Sequence, residues 1–236
     1  MAKDYTVKLA HAEEVATSVK HFTLEFEKKF DFMPGQFVML EIKKGDEKGE
    51  TVRRAYSIAS LPGSRQIELR INIIPGGKMT SFLDGMRAGD KIKLSGPYGE
   101  FGTSLSNIDK DVMFIAAGTG IAPMRCMIRS LMKQGFKKKI NLLYGFRHEG
   151  DFLFREELGR LAKKNRNLSL ITAISRPGEP KKWKGFIGRV TDYLRANEIS
   201  RNQEFYICGL AEMAEETKKI LLSKGIKEGH IHKDAW

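Results

Sequence analysis

Val112-Met113-Phe114-Ile115-Ala116-Ala117-Gly118-Thr119-Gly120-Ile121-Ala122-Pro123 decides the fold of this chain. Val112 to Ala117 is an unbroken apolar run of strand length, too uniform for a strand with one wet face. It ends in a glycine turn, and Pro123 to Lys133 follows at helical spacing with proline in the first turn. Buried strand, turn and helix in that order make one unit of a parallel sheet with helices packed on it. Free backbone N–H groups at such a helix start suit a phosphate. The turn departs from the fingerprint Gly-x-Gly-x-x-Gly because Pro123 replaces the third glycine. No acidic residue follows at about 20 positions, which argues against an ordinary dinucleotide site.

Downstream the alternation continues. Strands are expected at Ile140 to Tyr144, Leu168 to Ile174 and Glu204 to Cys208, and helices at Phe154 to Lys164, Gly188 to Ala196 and Ala211 to Lys224. That pattern predicts a doubly wound α/β parallel sheet covered on both faces. Cys208-Gly209 then closes the last strand of the sheet, at the carboxyl ends where ligands of such sheets gather.

Upstream the period is two. Tyr5 to Ala10, Val19 to Phe26, Gln36 to Ile42, Thr51 to Ile58, Gln66 to Ile73 and Lys91 to Leu94 read as strands. Pro34-Gly35, Lys44-Gly45-Asp46, Pro62-Gly63 and Gly89-Asp90 break them at the spacing of an antiparallel barrel or sandwich. One helix, Lys78 to Met86, interrupts this half. The predicted architecture is two domains, residues 1–106 as an antiparallel β-barrel and residues 107–236 as the α/β sheet.

Composition narrows the function. No apolar run approaches the roughly 18 residues that span a bilayer, and Met1 to Asp4 is charged, so a cytoplasmic protein without a membrane span is expected. Cys126 and Cys208 are the only cysteines, too few for a four-thiolate cluster or a disulfide scaffold. His230 and His232 lack a third ligand at metal spacing and read as surface histidines on a terminal strand, so no metal is expected. The net charge of +12 is uneven: residues 1–108 carry 16 Lys and Arg against 14 Asp and Glu, the remainder 25 against 15. A basic half attracts an acidic protein, a phosphate-rich ligand or nucleic acid, and no nucleic-acid motif accompanies it.

Two further stretches carry chemistry. In Arg54-Ala55-Tyr56-Ser57, strand alternation places Arg54 and Tyr56 on one side while Ser57 sets a hydroxyl beside the ring. A fixed positive charge, a flat phenol and a hydroxyl suit a flat, anionic, redox-active ligand; the bland alternative is a structural tyrosine in a strand. Gly76-Gly77-Lys78-Met79-Thr80-Ser81-Phe82-Leu83 puts glycines before a helix, where N–H groups and the dipole favour a diphosphate. Its bland alternative is a capped helix with Phe82 and Leu83 in the core.

Taken in order, Arg-x-Tyr-Ser at 54–57, the glycine loop at 76–80, Gly-Thr-Gly-Ile-Ala-Pro at 118–123 and Cys-Gly at 208–209 resemble the ferredoxin–NADP reductase superfamily across nearly the whole chain. Gly96-Pro97-Tyr98-Gly99 matches a structural turn of that family. The resemblance implies an FAD-binding barrel followed by an NAD(P)-binding sheet. It implies that Arg54, Tyr56, Ser57, Arg70 and Ile71 contact the flavin and that Gly77, Lys78, Met79 and Thr80 form the diphosphate loop, which favours FAD over FMN. Gly118, Thr119, Gly120, Arg147, Cys208 and Gly209 would meet the nicotinamide nucleotide, with Ser57 and Cys208 nearest the reacting atoms. The ending His232-Lys233-Asp234-Ala235-Trp236 is similar to the family's His-x-Glu-x-Tyr ending, which gives Trp236 the place of the flavin-covering aromatic and Asp234 that of the carboxylate.

Nucleotide choice hangs on Ser175-Arg176 after the strand ending at Ile174. In NADPH-using relatives this pair grips the 2′-phosphate; Lys181 and Lys182 add charge nearby, so NADP is favoured over NAD. The activity implied is hydride transfer between NAD(P)H and FAD, with single electrons passing to or from a ferredoxin or flavodoxin. The alternatives are the reductase component of an oxygenase, a flavin or ferric reductase, and an FAD relay subunit of a larger complex without its own turnover.

Overall fold

The computed structural model describes residues 2–43 and 50–235; the expected turn at Lys44-Gly45-Asp46 and the terminal Trp236 lie outside the described residues. The chain folds as two compact units, residues 1–105 with 125–130, and residues 106–124 with 131–236.

The first unit is an antiparallel sheet of six strands: β1 (Lys3–Ala16), β2 (Val19–Phe30), β3 (Phe37–Lys43), β4 (Thr51–Ser57), β5 (Ser64–Asn72) and β6 (Lys91–Tyr98), in the order β4-β3-β6-β1-β2-β5. Ile58, one residue past β4, bridges antiparallel to Leu69 of β5 and so joins the two edges. Closure satisfies edge groups that would otherwise invite pairing with other chains. Alternation supplies the interior: in β3, Val38, Leu40 and Ile42 are buried, and in β5, Ile67, Leu69 and Ile71. These pack with Phe22, Leu24, Phe26 and Phe30 of β2 into one core, where Tyr5 meets Phe26 and Phe30 edge-on at 5.2 and 5.4 Å. Helix α1 (Lys78–Gly85) contributes Met79 and Leu83 to that core and leaves Phe82 exposed, so the alternative that puts both Phe82 and Leu83 in the core holds for Leu83 alone.

The second unit is a fully parallel sheet. Its strands are β7 (Asp111–Ala117), β8 (Ile140–Phe146), β9 (Leu168–Ile174), β10 (Phe186–Ile187), β11 (Gln203–Gly209) and β12 (Ile231–Ala235), in the order β10-β9-β8-β7-β11-β12. Helices α2 (Ile121–Lys133), α3 (Arg155–Lys164), α4 (Val190–Ala196) and α5 (Ala211–Ser223) alternate with them. The strand order runs one way from β7 to β10 and the other way from β7 to β12, so the switch point lies between β7 and β11. The middle strands are apolar on both faces: Phe114, Ile115, Leu143, Phe205 and Ile207 are fully buried. Helix α3 starts one residue later than its pattern suggests, because Phe154 adopts φ 56° in the left-handed region, outside helical geometry.

The structure corrects two expectations. β11 does not end the sheet, because β12 pairs with it from Phe205↔Ile231 to Gly209↔Ala235. The terminal strand expected to carry the histidines is present as β12 and holds His232, but His230 and His232 are not simply exposed. Both are half-buried, His230 Nδ1 lies 2.6 Å from Glu204 Oε1, and His232 Nε2 lies 3.0 Å from Glu204 Oε2. His232 also stacks on Tyr206 at 4.7 Å. One carboxylate thereby ties the edge strand to its neighbour.

Burial pushes the Glu204 carboxyl up, but the hydrogen bonds from His232 and His230 and their charges outweigh it and hold the group below its ordinary 4.5. A carboxyl lowered in the folded state adds stability above its unfolded pKa and loses it as pH falls through the folded one. Glu204→Gln is therefore expected to be less stable than the parent at pH 7, with the gap closing below about pH 4.5. Urea titrations at pH 7, 5 and 3.5 measure this; a gap that stays constant with pH would contradict the assignment.

Candidate functional site

In the first unit, β4 presents Arg54, Tyr56 and Ser57 at its end. They pair across to Leu40, Val38 and Phe37 of β3, and the buried Leu40 and Val38 hold the strand in register. Arg54 is exposed and its Nη1 donates to the Arg53 carbonyl at 2.7 Å, which leaves its other N–H groups to solvent. Tyr56 is partly buried, and that burial pushes its phenol up to about 12 against the opposing charge of Arg54. The ring therefore stays neutral at any physiological pH and serves as an apolar face. The Ser57 hydroxyl is half-buried and makes no hydrogen bond to the other described residues.

The glycine loop stands before α1. Gly76 has φ +74°, and a Cβ there would meet nothing within 4 Å, so open space lies over this turn. Gly77 is the N-cap and gives no side-chain cap, and no acidic residue occupies the first turn. Unmasked N–H groups at the positive end of a helix fit a diphosphate. The individual residues contribute differently from their sequence reading. Thr80 turns its hydroxyl inward, donating to Ile74 O at 3.0 Å and accepting from Ile74 N at 3.2 Å, so it shapes the loop rather than reaching a ligand. Met79 is buried in the core and offers only its backbone. Lys78 is exposed and paired with Glu50 at 2.5 Å. On β5, Arg70 is half-buried opposite His21, whereas the Ile71 side chain is wholly in the core.

In the second unit, Gly118–Gly120 forms a 3₁₀ turn between β7 and α2. Gly118 has φ +55°, and a Cβ there would meet nothing within 4 Å, so the backbone there is open to an approaching group. Gly120 is the opposite case: a Cβ would stand 2.2 Å from the Cys208 carbonyl oxygen. Gly120 thus seats the turn against β11 while Gly118 faces outward. The Tyr144 hydroxyl, donating to Gly118 O at 3.1 Å, pins the turn from β8; the sequence pattern around Tyr144 holds no hint of that. Thr119 is half-exposed, and Gly209 has φ +154°.

Cys208 is fully buried, and burial followed by the Asp234 charge pushes its thiol well above the usual range. It remains a protonated apolar wall, not a nucleophile. Asp234 is half-buried beside it in register, and burial raises its carboxyl. At the ends of β8 and β9, Ser175 N donates to Phe146 O at 3.1 Å and Arg176 N to Arg147 O at 2.8 Å. Arg147, Ser175 and Arg176 are thereby neighbours, all exposed, and neither arginine forms an ion pair among the described residues. Lys182 is partly neutralised by Glu179 at 2.7 Å. Glu149, an acid that the linear pattern does not place here, accepts from Gly178 N at 3.1 Å and fixes the loop after Arg176.

Residues 6–102 match the family model described as the oxidoreductase FAD-binding domain, and residues 114–219 that of the oxidoreductase NAD-binding domain. Among curated relatives, the toluate 1,2-dioxygenase electron transfer component of Pseudomonas putida is 30% identical over 92% of this chain and 62% of its own length. The phenol 2-monooxygenase reductase component DmpP of Pseudomonas sp. (strain CF600) is 28% identical over 97% and 64%. This chain thus spans less than two thirds of the length of either. The solved structure of the Amycolatopsis cytochrome P450 reductase GcoB superposes with a TM-score of 0.88 at 23% identity, over 99% of this chain and 70% of that one. A ferredoxin NADP+ reductase from Neisseria gonorrhoeae superposes at 0.85 and 22%, over 99% and 98%. The last two likenesses show the fold. Both family models, falling on the barrel and the parallel sheet in turn, agree with the open glycine turns that each unit presents: the chain belongs to the ferredoxin–NADP reductase superfamily of FAD- and NAD(P)-binding oxidoreductases.

Proposed function

We propose that this flavoenzyme takes hydride from NAD(P)H and supplies electrons to a separate ferredoxin-type protein, in the manner of the reductase component of an oxygenase. The observation that carries the nucleotide half is the Gly118–Gly120 turn, seated on Cys208 at the switch point and open above Gly118. The relatives named for electron transfer to a dioxygenase and for a monooxygenase reductase support the choice of partner over the reading as a ferredoxin–NADP reductase. A chain of net charge +12 favours an acidic partner, and the rate of electron delivery is expected to fall with ionic strength.

When bound, FAD supplies a ring that accepts hydride and releases electrons one at a time. The protein does the rest by placement. Arg54 and the first amides of α1 would hold the diphosphate, the neutral Tyr56 ring would offer a flat apolar face, and the unengaged Ser57 hydroxyl would offer one donor to the ring. Gly118 to Gly120 receive the nucleotide's pyrophosphate, and the Cys208 thiol excludes water without offering a competing base.

Ser175 and Arg176 support NADPH as the donor. Anaerobic mixing of the yellow protein with NADPH or NADH, followed by flavin bleaching, tests the donor. Arg176→Ala is expected to raise the half-saturating NADPH concentration about 10- to 100-fold, the worth of one or two charge-assisted hydrogen bonds, and to leave NADH unchanged. Equal loss with both nucleotides would remove the phosphate-clamp assignment. Stronger bleaching by NADH from the outset would remove NADPH as the preferred donor.

A further inference from the structure

The coil that leaves β4, Ile58-Ala59-Ser60, is buried yet belongs to no strand, so each of its backbone groups needs a partner from elsewhere. Ile58 N donates to Gln36 O at 3.1 Å and Ala59 N to Glu68 O at 2.8 Å. Ser60 Oγ accepts from Glu68 N at 3.1 Å. A further bond, to the Ala59 carbonyl, comes from Arg125, a residue of α2 that falls in the first unit. Its Nη1 donates to Ala59 O at 2.9 Å and to Glu68 Oε2 at 2.6 Å. The Arg125 side chain is 8% exposed and that of Glu68 30%. A guanidinium stays charged at any such depth, so the pair holds a permanent ion inside the unit.

We propose that Arg125 is a positioning residue for the end of β4: by capping Ala59 O and neutralising Glu68 it locks Ile58–Ser60, and through two residues of chain it sets the aim of Tyr56 and Ser57. This rests on the reading that those two side chains face the flavin. An apolar residue at 125 would leave a buried carbonyl and a carboxylate without this donor, and water or a shifted backbone would have to satisfy them. Lysine restores the charge, but its compact ammonium on a flexible stem lacks the planar guanidinium that holds Nη1 between both acceptors. Glu68→Gln removes the charge and keeps an acceptor, so the Ala59 bond survives.

Hydrogen exchange read by mass spectrometry on the FAD-loaded full chain tests the lock, with flavin bleaching as the second readout. In Arg125→Met, peptides covering 57–60 are expected to exchange at least about 10-fold faster than in the parent while the core of β3 is unchanged. Bleaching by NAD(P)H is expected to slow about 10-fold at saturating nucleotide, with the half-saturating concentration unaltered. Arg125→Lys should recover part of both effects and Glu68→Gln most of them, and these milder variants carry the test if the methionine variant does not fold. A lower melting temperature with unchanged exchange at 57–60 and an unchanged bleaching rate would overturn the proposal and leave Arg125 a packing residue. Failure of the flavin reading is distinguishable: adding FAD to flavin-depleted parent would then leave exchange at 54–57 unaltered, whatever Arg125 does.

Discussion

Gly120→Ala is expected to slow flavin reduction by NAD(P)H at least about 100-fold while the flavin stays bound and remains reducible by dithionite. The reason is steric. A Cβ at this position would lie 2.2 Å from the Cys208 carbonyl oxygen, 2.6 Å from its carbon and 2.9 Å from Gly209 N, all of them backbone atoms. β11 cannot yield, because Cys208 is held in register with Ala116 of β7 on one side and Asp234 of β12 on the other. The turn must therefore move by about an ångström, and a displacement of that size at a ligand-positioning loop carries a penalty of this order. Overpacking should also destabilise the second unit by about 1–3 kcal/mol. Stopped-flow bleaching with nucleotide and with dithionite separates the two effects. A parental bleaching rate would mean that the nucleotide does not lie over this turn.

Ser57→Ala is expected to retain FAD and the parental melting temperature but to slow bleaching roughly 100-fold, the usual cost of removing one well-placed donor at a reacting centre. The hydroxyl has no hydrogen bond to lose among the described residues and is only half-buried, so the stability change should stay within about 0.5 kcal/mol. Rate and stability therefore part company in this variant. That separation distinguishes a donor aimed at the flavin from a serine that merely ends a strand. A transient bleaching rate equal to the parent's would sink the assignment, and Tyr56 would be left as the only side chain of β4 with a claim on the ring.

Much of this protein is legible residue by residue. The alternation of Val38, Leu40 and Ile42 is a local property of β3, and a strand with one buried face has to show it. The apolar run before Gly118 and the helical spacing after it likewise announce a buried strand and its crossover without reference to any distant residue. The open glycine at 118 is readable for the same reason: a turn at positive φ favours a residue without a Cβ.

What the linear pattern misses depends on partners far apart in the chain. Nothing near Arg125 signals that it serves Ala59 and Glu68, more than fifty residues earlier; on its helix it reads as one more surface cation. The same holds for Tyr144 on Gly118 and for Glu204 between two histidines. Thr80 reads as a ligand donor in the sequence because threonine after a glycine loop has that chemistry, and only the folded loop shows its hydroxyl already engaged by Ile74. Local sequence determined the strands, the helices and the two open turns, since periodicity and backbone freedom are written in neighbouring residues. Tertiary structure decided which polar groups remain available to a ligand, because a hydrogen bond engages a donor or acceptor wherever folding brings its partner.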